Sequence, residues 1–379
     1  AGFGYSGVDV PAGIKVNGNV VTFTTADAVK QFAPGSYCFT FVWDGYLKAG
    51  AKTRRNRITS RMGATITLDS PPDPTANAAI WTARALPLAG AAEGAAKLAV
   101  SPVAVNQWVL VTAGPQAGNE CSGEFRQVVS SDASTITLDR PLRSNYGATA
   151  LVILVAPTVG PCVRDLSIEP LTPNYHPIAC KNCTGITLIN LDVAGDLHLF
   201  GCQYAAIANC RLAGTLNLNN CRDVQIDDCR CREVFVEEMC ADLDFARLVV
   251  AQSRQGGAGF NQPVLSPCER IRIKDSLITG AADLPLHLRG RENVVEGVTL
   301  IGSRAAASWV MADLSGDRLR VRDLRTDLTI KVSGGVGGDV ARVRGTLYLT
   351  GGSGTVAECT RVVPASAAVA TAWGVAAIQ

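Results

Sequence analysis

The chain has 379 residues, 47% hydrophobic and 18% charged, with 35 Lys and Arg against 33 Asp and Glu. A chain this apolar and this poor in charge is not intrinsically disordered. The near-balance of signs and an aromatic content of 6% argue against nucleic acid as a partner, whether bound by phosphate neutralisation or by base stacking.

The N-terminal part contains an echo. Residues 65–71 and 135–141 share the pattern Thr-Ile-Thr-Leu-Asp-x-Pro, which reads as a strand running into a turn. Residues 16–22 resemble 105–111, and 79–83 resemble 150–154. Two related β-modules are expected, roughly over 15–88 and 104–160, in domains bounded as 1–103 and 104–160. The second is a candidate for capping the C-terminal part of the chain. The Ala/Gly-rich segment 89–100 reads as a linker or a short helix. Lys52, Arg54, Arg55, Arg57 and Arg61 read as a solvated basic loop.

From residue 161 a repeat takes over. Cys183, Cys202, Cys221 and Cys240 are spaced by 19 residues. The columns that travel with them are apolar or cysteine: Leu188, Ile207, Ile226 and Phe245 in one, Val193, Leu212, Cys231 and Val250 in another. Apolar steps of two mark strands with one buried face, and the longer steps between them mark corners. Short strands and corners within one period predict a coil of a parallel β-solenoid, whose core forms by stacking. The preferred hand of parallel crossovers predicts a right-handed β-helix.

The repeat is expected over 161–361, with loops inserted between 251 and 317. Toward its end Val321, Val340 and Cys359 are predicted to stack, as are Leu324, Val343 and Val362, Leu328 with Leu347, and Ile330 with Leu349. The uncharged tail 362–379 reads as an apolar cap or a subunit contact. Pro364, Ser366 and Gly374 interrupt it, so no membrane insertion is expected. The Cys183, Cys202, Cys221 and Cys240 column reads as a ladder of packed core thiols.

Residues 107–112, 123–128 and 135–142, followed by the solenoid, resemble the β-module and pectin-lyase-like β-helix of tail and spike proteins of tailed bacteriophages, over roughly 104–362. The resemblance implies a right-handed β-helix, a homotrimer and a place in the virion among other virion proteins, and it makes the module within 1–103 a candidate for particle attachment. It also implies host surface polysaccharide as a binding target, which some family members cleave.

Cleavage would need two carboxyl groups across a glycosidic bond. Asp242 and Asp244 flank Leu243 and should point outward, with Asp223 one coil earlier, so these three are the catalytic candidates if the protein is an enzyme. Asp196 and His198 share another outward face. Cys180 and Cys183 have half the spacing of a zinc site but no second pair to complete it, and no metal or cofactor is expected. Cys38, Cys121 and Cys359 lie outside the four-rung ladder. With 13 cysteines in the chain, an odd number, they are the candidates for interchain disulfides. The sequence favours a structural virion protein of a tailed phage: spike, fibre, collar or capsid decoration. It leaves open a polysaccharide-degrading spike, glycosidase or lyase, and an extracellular bacterial β-helix adhesin.

Overall fold

A computed structural model describes residues 15–23, 29, 34–35, 37–42, 54–71, 78–83, 85–112, 123–148, 150–155, 157–169, 177–237, 240–251, 268–280, 286–302 and 310–375. The chain divides into two units, Ala1–Thr158 and Val159–Gln379.

The first unit holds two six-stranded antiparallel sheets built on one plan. In the first sheet Val20–Thr22, Thr65–Leu68, Arg54–Met62, Tyr37–Val42 and Ala78–Ala83 lie side by side. In the second the same places are taken by Lys97–Ala99, Thr135–Leu138, Gly123–Ser131, Trp108–Thr112 and Leu151–Val155. The repeated motif makes the same hairpin twice. Asp69 accepts the backbone N–H of Arg57 at 2.9 Å, and Asp139 that of Gln127 at 2.9 Å. A bulge follows in each partner strand, at Ile58/Ser60 and at Val128/Ser130.

Two expectations change here. Segment 89–100 contains the strand Lys97–Ala99, paired with Thr135–Leu138, instead of a linker or helix. With Ala85–Pro87 paired to Leu151–Val155, the second sheet starts upstream of residue 104. Arg54, Arg55, Arg57 and Arg61 lie on the strand Arg54–Met62 and not on a loop; Lys52 is outside the described residues.

The second sheet buries an ion pair. Alternation puts Glu124 and Arg126 on the same face of Gly123–Ser131, and each is 1% exposed. They pair with each other. Glu124 also accepts the Tyr146 hydroxyl at 2.9 Å and the Arg143 N–H at 3.0 Å, while Arg126 donates to the Pro141 carbonyl at 3.0 Å. A charge this deep persists because its hydrogen-bonding capacity is largely met inside.

The second unit is a parallel β-solenoid of about 8 turns at about 19 residues per turn. Its first sheet stacks Leu188, Ile207, Ile226 and Phe245 in the predicted column. The column continues through Ile273, Val295, Val321, Val340 and Val356. A second sheet carries Val193, Leu212, Cys231 and Val250, and a third carries Leu197, Leu216 and Val234. Corners need left-handed backbone, which Asn and Asp tolerate best after Gly. One corner column reads Asn190, Asn209 and Asp228, at φ 54°, 52° and 51°.

The register predicted near the C-terminus is corrected. Val321 pairs with Val340 as expected, but Val340 pairs with Val356, so Cys359 leaves that column. Ile330 pairs with Leu347, Val332 with Leu349, and Leu347 with Val362. The cause is tighter corners in the glycine-rich runs. At Gly352, φ is 80° and an added Cβ would lie 2.5 Å from the Gly334 carbonyl oxygen, so the chain turns there in fewer residues.

The cysteine ladder is buried and gains a fifth rung, Cys268. Its thiols donate to strand carbonyls of the coil before: Cys202 to Cys180 at 3.3 Å and Cys221 to Leu199 at 3.3 Å. Burial pushes the Cys180 thiol up to about 11, helped by Cys183. None of the eleven cysteines whose side chains are described is in a disulfide. Cys359 is half-buried and donates to the Ala357 carbonyl at 3.3 Å. Cys38 lies on the strand Tyr37–Val42, with its side chain outside the description, and Cys121 lies outside the described residues.

The tail forms the last strand, Arg361–Pro364, and the helix Ala367–Ala372, capped by Ser366, whose side chain accepts from the Val369 N–H. The turn after the helix drives Trp373 into the end of the core, 2% exposed, with its Nε1 donating to the Gly351 carbonyl at 3.0 Å.

Candidate functional site

Asp223 and Asp242 occupy a left-handed column, with φ of 53° and 57°, between Tyr204 and Arg270. Asp242 is clamped by the Arg270 guanidinium, Nε to Oδ1 at 2.7 Å and Nη2 to Oδ2 at 3.0 Å. The clamp raises the Arg270 pKa. Beyond it, Arg270 and Arg291 both hold Glu269, and Arg318 holds Glu292. The result is a ladder of alternating charge, and a bidentate fork on Asp242 favours the ionised carboxylate over a proton-donating acid. Asp244 stands in register with Gln225 and Arg272 and lies 3.9 Å from the Lys274 Nζ. Asp223 is half-buried one rung before Asp242.

Asp196 and His198 are brought together, Nε2 to Oδ2 at 3.9 Å. The other Asp196 oxygen accepts the Thr215 N–H at 2.7 Å. That contact explains Gly214, where a Cβ would lie 2.1 Å from Asp196 Oδ1. The Thr215 hydroxyl donates to Glu233 at 3.5 Å. Glu233 was not legible as a member of this corner.

These groups border the outward face of the third sheet. Its strands Ile178–Lys181, Leu197–Phe200, Thr215–Asn219 and Glu233–Glu237 send Leu197, Leu199, Leu216, Leu218, Val234 and Val236 inward, each at 0–1% exposure. Outward, His198, Asn217 and Phe235 stand in one row, and Phe200 and Asn219 in the next. All five are half-buried. Successive rungs are about 4.8 Å apart, and outward neighbours on one strand about 6.5–7 Å. The face thus combines two phenyl rings and an imidazole with two carboxamides, each carrying both donors and an acceptor. Rings of this kind accept the C–H face of a sugar, while the carboxamides meet its hydroxyls.

Phe235 follows Asn217 after one residue fewer than the 19-residue period. A strict count would put Val236 there and turn Phe235 inward, since a one-residue slip exchanges faces. The signal available was the pair Val234 and Val236, whose alternation marks the buried side.

On later coils a further row aligns His287, Asp313, Lys331 and Tyr348. Asp313 is 9% exposed and takes Lys331 Nζ at 3.4 Å and Ser333 Oγ at 3.3 Å. Burial, then the charge of Arg289, lowers the His287 pKa below its usual 6.5. Folding therefore favours the neutral imidazole, and the unfolded chain binds the extra proton. The stability this residue contributes is present above pH 6.5 and is lost as pH falls through the lowered folded value. Thermal melts between pH 7.5 and 5 should show a steeper acid loss for the wild type than for His287→Gln. Equal slopes would remove His287 from the account.

Fold and face together define a parallel β-solenoid that displays an aromatic and amide sheet surface. No family model matches the chain, and no curated protein matches it. Among solved structures it is similar to the Pseudomonas phage phi297 tailspike gp61, at 12% identity over 72% of this chain and 57% of that one, with a TM-score of 0.49. It is also similar to the tailspike protein gp49 of Pseudomonas phage LKA1, at 14% identity over 75% and 66%, TM-score 0.41. A third is the Gp54 tailspike of Acinetobacter baumannii bacteriophage AP22, solved with A. baumannii capsular saccharide, at 12% identity over 75% and 60%, TM-score 0.28. The chain spans less than two thirds of the length of each.

Proposed function

We propose that this chain is a structural component of a tailed-phage particle, of the tail-spike type, acting as a homotrimer that binds host surface polysaccharide. The observation that carries the binding role is the outward array of His198, Phe200, Asn217, Asn219 and Phe235 on the third sheet. A stacked solenoid holds these groups rigidly, so little ordering opposes ligand binding. The β-modules of the first unit are assigned to particle attachment. The Arg270 clamp on Asp242 weighs against Asp242 as the proton donor of a hydrolytic pair.

Light scattering should give the mass of three chains. The double variant Phe200→Ala/Phe235→Ala should weaken binding of host capsule or lipopolysaccharide about 10-fold or more, a loss of about 1.4 kcal/mol or more, with the melting temperature unchanged. Unaltered affinity would show that this face is not the one used. Release of new sugar ends from bound polysaccharide by the wild type would instead establish an enzyme.

A further inference from the structure

The outward face of the second sheet carries a column that neither the aromatic face nor the acid–base ladder uses. Arg211 stacks in register on Arg230 and, farther along the axis, Arg325 on Arg344. Val249, Leu277 and Thr299 fill the rungs between them. All four arginines are exposed. Among the described residues none of the four forms an ion pair. Rungs about 4.8 Å apart set like charges side by side, an arrangement that opposes strand pairing.

Other arginines of this solenoid are neutralised where they stack: Arg270 by Asp242, Arg322 by Asp339, Arg342 by Asp323. At the corner adjoining the column, Asp227 and Asp323 are taken by Arg247 and Arg342, and Asp228 and Asp275 occupy the corner itself. Asp192, level with Arg211, is the one carboxylate on the described column.

We infer that this column binds an acidic polysaccharide, a linear chain of carboxylate-bearing sugars lying along the solenoid axis. Guanidinium groups engage carboxylates through paired hydrogen bonds. Two arginine pairs separated by uncharged rungs suit a ligand whose charge recurs along its length. A protein partner fits less well. Val249 and Leu277 are half-buried, and Ile301, two residues on from Thr299, is 50% exposed, whereas a stable interface buries roughly 800 Å² per partner around an apolar centre. The inference rests on the chain's role at a polysaccharide surface but uses a different face of the solenoid.

The test is retention of the full chain on immobilised polygalacturonate, with dextran as the neutral control and polyglutamate as the polypeptide control. The expected result is salt-sensitive retention on polygalacturonate alone. Arg211→Gln/Arg230→Gln/Arg325→Gln/Arg344→Gln should lose at least 10-fold in affinity, with a melting temperature unchanged or raised because the repulsion is gone. Phe200→Ala/Phe235→Ala should keep polygalacturonate binding, which separates this face from the other. Equal retention of the four-arginine variant would overturn the inference, as would a lowered melting temperature, which would make the arginines structural. Equal retention of the wild type on polyglutamate would overturn it in favour of an acidic protein.

Discussion

Replacing Trp373 with alanine is expected to destabilise the solenoid by about 3–5 kcal/mol, the range for removing a buried tryptophan or phenylalanine side chain. The ring is 2% exposed. It packs so closely over Gly338 that a Cβ there would lie 2.5 Å from it. Its loss would open the end of the core to water and leave the Gly351 carbonyl without the 3.0 Å hydrogen bond from Nε1. In a repeat protein the terminal coil has a neighbour on one side only, so its cap carries stability that inner coils receive from stacking. Denaturant titration measures the effect, and hydrogen exchange over 338–364 should locate it. Trp373→Phe keeps most of the apolar burial and should recover most of the loss. A wild-type midpoint for Trp373→Ala would show that the tail does not cap.

Glu124→Ala should cost a similar amount, about 3–5 kcal/mol, because it leaves the Arg126 charge buried without a counter-ion. Glu124 and Arg126 are each 1% exposed. The same substitution strands the Tyr146 hydroxyl and the Arg143 N–H, both of which donate to this carboxylate. Replacing the pair together, as Glu124→Leu/Arg126→Met, removes both charges and should recover a large part of the loss, since apolar residues of similar volume often match a buried pair. The midpoints of the wild type, Glu124→Leu, Arg126→Met and the double variant form a double-mutant cycle. A double variant as unstable as the sum of the single ones would show that the two charges act independently.

The solenoid was legible because a β-coil buries alternate residues, and the same spacing recurs on every turn. Leu188, Ile207, Ile226 and Phe245 stack where a fixed count puts them. The count failed where coil length changed. Val356, and not Cys359, sits on Val340, because glycine corners shorten the turn. The same limit hid the aromatic face, since Phe235 reaches Asn217 only after a coil one residue short. In the first unit the shared hairpin was visible in the two Thr-Ile-Thr-Leu-Asp motifs. The strand Lys97–Ala99 was not, because its short alanine-rich sequence has little strand preference and is held by pairing with Thr135–Leu138.

The sequence by itself determined the all-β class, the 19-residue coil, the buried cysteine column and the existence of two related N-terminal modules. Each comes from local spacing, which sets which side chains face inward. Only the tertiary structure decided that Asp242 belongs to Arg270, that His198, Phe200 and Phe235 share a face, and that Trp373 closes the core. Those contacts join residues from different coils, and their register depends on the length of every corner between them. One residue gained or lost at a corner changes which side chains meet, and no local pattern records that sum.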